Sequence, residues 1–122
     1  MTKNPAKMSL DELVAAFVEI GIAQGEAAEE FRTATFNRLF ARKIKILDEL
    51  KRRGNDERRV LISLYDHPNT QVRLNAAKST YALNTAEARA VIQAIADSNY
   101  APWSGSAGMT LWALDEGIGK LD

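Results

Sequence analysis

The run Asp66-His67-Pro68-Asn69-Thr70-Gln71-Val72-Arg73-Leu74-Asn75-Ala76-Ala77-Lys78-Ser79-Thr80-Tyr81-Ala82-Leu83 constrains the fold more than any other stretch. Pro68 cannot extend a preceding helix and biases His67 towards extended geometry. Asn69 and Thr70 both favour the N-cap position. From there Val72, Ala76, Thr80 and Leu83 recur at helical spacing, and Ala77 widens the stripe. Apart from Leu83 these residues are small, so neighbouring helices can approach closely. The pattern predicts a tight turn feeding one short helix packed on both sides.

The rest of the chain reads as helices too. Residues 1–8 form a polar tail with a proline and are expected to fray. Ser9 and Glu12 have capping-box spacing, and Leu10, Leu13, Val14, Phe17, Val18 and Gly21 follow as an apolar stripe. Helix 1 is therefore expected to run to about Gln24, with Gly25 ending it. Glu26 to Arg53 is the longest helical pattern, with Phe36, Leu39, Phe40, Ile44, Leu47 and Leu50 inward and Lys43 beside that stripe. Weak helix formers at Thr33, Thr35 and Asn37 mark the place for a bend. Lys51-Arg52-Arg53-Gly54 puts cations at the negative helix end and then a glycine. Helix 3 is predicted from Asn55 to Tyr65, with Val60, Leu61, Leu64 and Tyr65 inward. Helix 5 begins at Asn84 or Thr85, and Ala88, Val91, Ile92, Ile95 and Ala96 form its apolar face. Asp97 to Gly105 reads as a loop, and a last helix runs from about Ser106 to Glu116 before Gly117. No segment alternates as an amphipathic strand does. The expected fold is all-α, a short α-α superhelix of about three helical hairpins, with residues 9–122 as a single domain.

Composition narrows the chemistry. A chain of 122 residues with 46% apolar side chains can bury roughly two thirds of its unfolded surface, enough to fold without a metal or disulfide. With no cysteine, thiolate nucleophiles and zinc–thiolate sites are excluded, which suits the reducing cytoplasm. The first residues lack the apolar core of a signal peptide and no apolar run reaches the roughly 18 residues of a membrane span, so no membrane partner is expected. The net charge is zero, but residues 31–59 carry +6 while residues 1–30 carry −4.

That basic segment holds the first candidate site. Arg38, Arg42, Lys45 and Arg52 fall near one side of helix 2, where they could meet phosphates or an acidic partner. Against this, helix 1 offers Asp11, Glu12, Glu19, Glu26, Glu29 and Glu30 as antiparallel neighbours, so internal pairing or solvation is the preferred account. Trp103, in the expected loop, is the exposed aromatic candidate for a partner contact; Trp112 is expected at the edge of the core. His67 is the one histidine, so a metal site is not expected and a hydrogen-bonded turn residue is. Asp115 and Glu116 are adjacent, and neighbours on a helix cannot converge on one substrate atom. Ser104-Gly105-Ser106 lacks the context of a nucleophile elbow. No enzyme activity and no cofactor are expected.

Asp66 and Pro68-Asn69, then Val72-Arg73, Ala76-Ala77 and Ala82-Leu83, resemble the turn and second helix of a HEAT repeat. The resemblance implies that Asp66 or Asn69 acts with Arg73 to stitch adjacent repeats together. The whole chain also resembles a small bacterial family known only as a domain of unknown function with a HEAT-like α-α superhelix. Ser9-Leu10-Asp11-Glu12-Leu13-Val14, the run Asp66–Ala77 and the run Gly108–Gly117 carry that likeness. It implies a fold and no catalytic residues. The expected function is a cytoplasmic, non-enzymatic protein-binding module, with a homodimer as one form of partnership. Because bacterial HEAT-like domains include toxin-neutralising proteins, an inhibitor or immunity role is a specific form of it. The alternative is nucleic-acid binding through helix 2.

Overall fold

A computed structural model describes residues 3–122. All regular structure among them is helical: α1 (Leu10–Glu29), α2 (Thr33–Arg53), α3 (Asn55–Arg58), α4 (Thr70–Thr80), α5 (Thr85–Ala96) and α6 (Trp103–Asp115), with 3-10 segments at Pro5–Lys7 and Arg59–Asp66. The chain divides into two compact units, the first ending at Val60 and the second Leu61–Asp122.

In the first unit α1 and α2 form a helical hairpin. The Ser9 hydroxyl accepts from the Glu12 backbone N–H at 3.1 Å and the Glu12 carboxylate accepts from the Ser9 N–H at 3.0 Å, so the predicted capping box forms. Helix α1 does not stop at Gly25, which is buried within it. It ends at Glu29 because Phe31 takes a left-handed φ of 55°. The Arg32 N–H then reaches the Ala27 carbonyl at 2.8 Å and the Phe31 N–H the Ala28 carbonyl at 3.3 Å, a Schellman closure with phenylalanine where glycine is usual. The break before α2 thus falls at residues 30–32, ahead of the weak helix formers. The buried face of α2 is Leu39, Lys43, Ile46, Leu47 and Leu50. Phe40, expected inward, lies one residue off that stripe and is exposed. Lys43 is the buried member instead, with its ammonium 4.5 Å from the centre of the Phe40 ring, so its charge finds a π-face as its stem is covered. Gly54 ends α2 at φ 121°, a value other residues rarely adopt.

The expected third helix is a single α turn followed by the 3-10 segment. A 3-10 helix eclipses positions three apart, which puts Leu61 and Leu64 on one side, both buried. The His67 N–H closes on the Leu64 carbonyl at 3.0 Å, and Pro68 bars continuation. In the second unit α4 packs on α5 and α5 on α6, the serial neighbour packing of an α-α repeat. Asn69 caps α4 by accepting from the Val72 N–H at 3.1 Å. Val72, Ala76, Ala77 and Thr80 are fully buried as the stripe predicted, and Gln71, Leu74, Asn75 and Ser79 are buried as well. Small side chains at Ala76, Ala77, Ser79 and Thr80 let neighbouring segments enclose the helix closely. Gly117 ends α6 at φ 71°, with the Ile118 N–H on the Ala113 carbonyl at 2.9 Å.

Of the N-terminal tail, residues 1 and 2 lie outside the described residues. From residue 3 the segment is not a frayed strand of coil but a 3-10 turn, capped by Asn4 through its acceptance of the Ala6 N–H at 3.1 Å.

Because α4 has no free side near Ala76, Ala76→Leu overpacks the helix contact and costs about 1–3 kcal/mol. The expected result is a lower thermal midpoint with helicity kept; an unchanged midpoint would contradict the burial of this position.

Candidate functional site

In the first unit the N-terminal segment is held against α2 by one side chain. Arg53 donates from Nη2 to the Met8 carbonyl at 2.6 Å and to the Pro5 carbonyl at 3.3 Å. Its Nε donates to Glu49 at 2.7 Å, and Glu49 also takes two bonds from Arg52, at 3.0 and 2.6 Å. Glu49 is buried on α2. The hydrogen bonds from Arg52, and then Arg53, lower its pKa from 4.5 to about 2. This clasp sets the N-terminal segment as one wall of a half-open cleft of about 660 Å³. The floor is apolar: Ala16 and Ile20 lie one turn apart on α1, Ile46 on α2, and Pro5 and Met8 close it from the N-terminal side. Lys3, Arg42 and Lys45 stand along the cleft. Lys3 is neutralised by Glu12 at 2.9 Å. Arg42 and Lys45 are exposed and have no ion-pair partner among the described residues.

The basic residues of α2 therefore separate. Arg52 pairs with Glu49 of its own helix, not with α1. Arg38 is exposed and donates to the Thr35 hydroxyl at 3.3 Å. Neither it nor Arg42 nor Lys45 meets a carboxylate of α1 among the described residues, so of the two expected accounts, solvation and internal pairing, these three side chains show the solvated one. Glu12 pairs with Lys3 and Glu30 with Arg32.

The two tryptophans exchange the places expected for them. Trp103 is not in an exposed loop: it is the first residue of α6 and buried, and its indole N–H donates to the Gln71 side-chain oxygen at 2.9 Å. The Gln71 amide donates in turn to Asn75 at 2.9 Å. Trp112, expected at the core edge, is 51% exposed, and Met109, three residues earlier on α6, is 63% exposed. Gly105 and Gly108 lie on the same side of the helix, and a Cβ at either would meet no atom within 4 Å. The outer face of α6 is thus open and apolar from Gly105 to Trp112, with the exposed Glu116 one turn beyond it. Apolar residues at positions 105, 108, 109 and 112 in helical spacing could have revealed this face, but the same spacing also suits a core.

The other candidates are tied into local structure. Arg73 bonds its own turn, donating to the His67 carbonyl at 2.8 Å, the Pro68 carbonyl at 3.2 Å and the Thr70 hydroxyl at 3.1 Å. Asn69 serves as the α4 cap, and Asp66 is exposed. The His67 Nδ1 accepts the Asn69 N–H at 3.0 Å. Asp115 takes Arg89 on both carboxylate oxygens, at 2.8 and 3.0 Å. Among the described residues no three His, Asp or Glu side chains gather to hold a metal ion. Among the described residues no helix is long and apolar enough to cross a membrane.

Residues 11–115 match the family described as Domain of unknown function (DUF2019). The crystal structure of the protein RPA1889 from Rhodopseudomonas palustris CGA009 is similar at 40% sequence identity with a TM-score of 0.91, over 99% of this chain and 100% of that one. No protein of curated description matches the chain.

The clasp has a pH signature. A folded-state pKa near about 2 against an ordinary 4.5 means that Glu49 stabilises the fold above its unfolded value and loses that effect as pH falls from about 4.5 towards 2. Glu12 is lowered to about 2 as well, by the Ser9 N–H and then Lys3, and fades in the same window. The thermal midpoint is expected to hold above about pH 5 and fall below it. Glu49→Gln should lower the midpoint at neutral pH and flatten the acid slope. A slope identical to the parent's would remove Glu49 from the account.

Proposed function

The chain belongs to the DUF2019 family, and from that premise we propose that it is a non-enzymatic protein-interaction module that binds through the outer face of α6. The observation that carries this is the exposure of Trp112 and Met109 beside two glycines with open space above them. Tryptophan and methionine are the residue types that anchor protein interfaces, and a glycine face lets a partner backbone come near. The non-enzymatic part is supported by the state of the polar candidates, since Asp115 is held by Arg89 and His67 by its own turn. A cytoplasmic setting is supported by the cysteine-free composition. An inhibitor or immunity protein is one form that such a module takes, and a second copy of the chain is one partner that the face suits.

Nucleic-acid binding through α2 is the second reading. It is favoured by the exposure of Arg38, Arg42 and Lys45 without ion-pair partners among the described residues. Three phosphate contacts would give a slope of about −2.7 for log affinity against log salt, and reversal of the three cations to glutamate would abolish binding.

The readings separate in one affinity capture from lysate with nuclease treatment, comparing the parent with Trp112→Lys and with Phe31→Ser as an exposed aromatic control. Loss of an anchor of this kind weakens a partner by about thirtyfold. A nuclease-resistant protein that Trp112→Lys loses and Phe31→Ser keeps is the expected result. Equal capture by all three proteins would dismiss the α6 face, and capture abolished by nuclease would move the assignment to α2.

A further inference from the structure

The cleft of the first unit is independent of the α6 face and has the composition of a small-ligand site. At about 660 Å³ it falls in the range of small-molecule pockets, which are apolar in the main with a few placed polar groups. Its accessible apolar lining is Pro5, Met8 and Ala16, all half-buried, set over Ile20 and Ile46, which are themselves 2% and 5% exposed. Its N-terminal wall is tied by Arg53 to the Met8 and Pro5 carbonyls. Arg42 and Lys45 are three residues apart on α2, so their side chains leave the helix on one face as neighbours.

We propose that this cleft binds a monomeric amphiphilic anion, with one carboxylate or phosphate head at Arg42 and Lys45 and an aliphatic body against Pro5, Met8 and Ala16. The charges select the class. Lys3 is neutralised by Glu12 at 2.9 Å, which leaves two neighbouring cations without carboxylate partners among the described residues. Two cations one helical turn apart serve one anionic head, whereas a nucleic-acid strand is served by a longer cationic track. An apolar floor beneath them contributes only if the ligand has an apolar body to cover it. Arg42 can fork onto two oxygens of one head, and Lys45 adds a point charge that tolerates either carboxylate or phosphate.

The test uses the full chain, with decanoate and decyl phosphate below their micelle concentrations as probes. Decanol supplies the tail without the charge and acetate the charge without the tail. Saturable binding of both anionic probes, about tenfold or more tighter than decanol and acetate, is expected in calorimetry. Methyl resonances of Met8 and Ala16 should shift while those of unit 61–122 stay in place. Arg42→Gln with Lys45→Gln should weaken decanoate by about tenfold or more and leave the thermal midpoint unchanged, since neither side chain has an ion-pair partner to lose. Decanoate binding equal in parent and double variant would overturn the proposal. So would shifts confined to other residues, or no saturation by about 1 mM, the weak end of the affinity scale. Binding seen only with anionic phosphatidylglycerol vesicles would overturn it in favour of a membrane surface. Binding seen only with an oligonucleotide would overturn it in favour of the basic-helix reading.

Discussion

Helix α4 is buried along nearly all of its circumference, and much of the second unit follows from satisfying it. A polar group in such a place costs about 1–3 kcal/mol if left unpaired, so each one must meet a partner. Gln71 uses both ends of its amide, donating to Asn75 and accepting from Trp103. The second bond draws the first residue of α6 onto α4. Thr80 bonds back to the Ala76 carbonyl at 2.8 Å and meets the Tyr65 hydroxyl, which links the 3-10 segment to the same helix. The alanines leave room for α5 to lie close. One helix thus positions three neighbours, by small size on some sides and by hydrogen bonds on others.

The first unit solves its equivalent problem with charge. Glu49 is a buried carboxylate on a helix that ends in Lys51, Arg52 and Arg53. Two guanidiniums satisfy it, and Arg53 has donors left over. Those donors find the carbonyls of the N-terminal segment. The charges that end the helix favourably against its dipole therefore also build the cleft wall. Of the α2 cations without a carboxylate partner among the described residues, Arg42 and Lys45 are the two that line the cleft.

Two surfaces emerge with different chemistry. The α6 face is apolar and open, suited to another polypeptide. The α1–α2 cleft pairs an apolar floor with two uncompensated cations and suits a smaller anionic molecule. Each lies within one compact unit, so each can be altered without disturbing the other. The conventional nucleophile and acid–base candidates, His67 and Asp115, are occupied by hydrogen bonds or ion pairs of structural use.

What the sequence determined by itself is what depends on residues close in the chain. The Ser9–Glu12 capping box, the Asn69 cap, the stops at Gly54 and Gly117 and the small stripe of α4 are set by side chains and carbonyls within a turn or so of one another. The all-helical class follows from the same periodicity. Tertiary structure decided the rest. No glycine marks the end of α1, because the left-handed conformation is borne by Phe31 and only the turn into α2 demands it. Phe40 and Lys43 differ by less than a turn, so which is covered depends on the exact roll of α2 against α1. Trp103 and Trp112 sit on one helix with the same apolar character. The first is buried because Gln71, 32 residues away, offers an acceptor, and the second is exposed because nothing packs above it. Arg42 and Lys45 look like ordinary basic residues of a helix in a neutral chain. They become a candidate site only because Arg53 folds the N-terminal segment beside them, a contact across 45 residues that periodicity cannot encode.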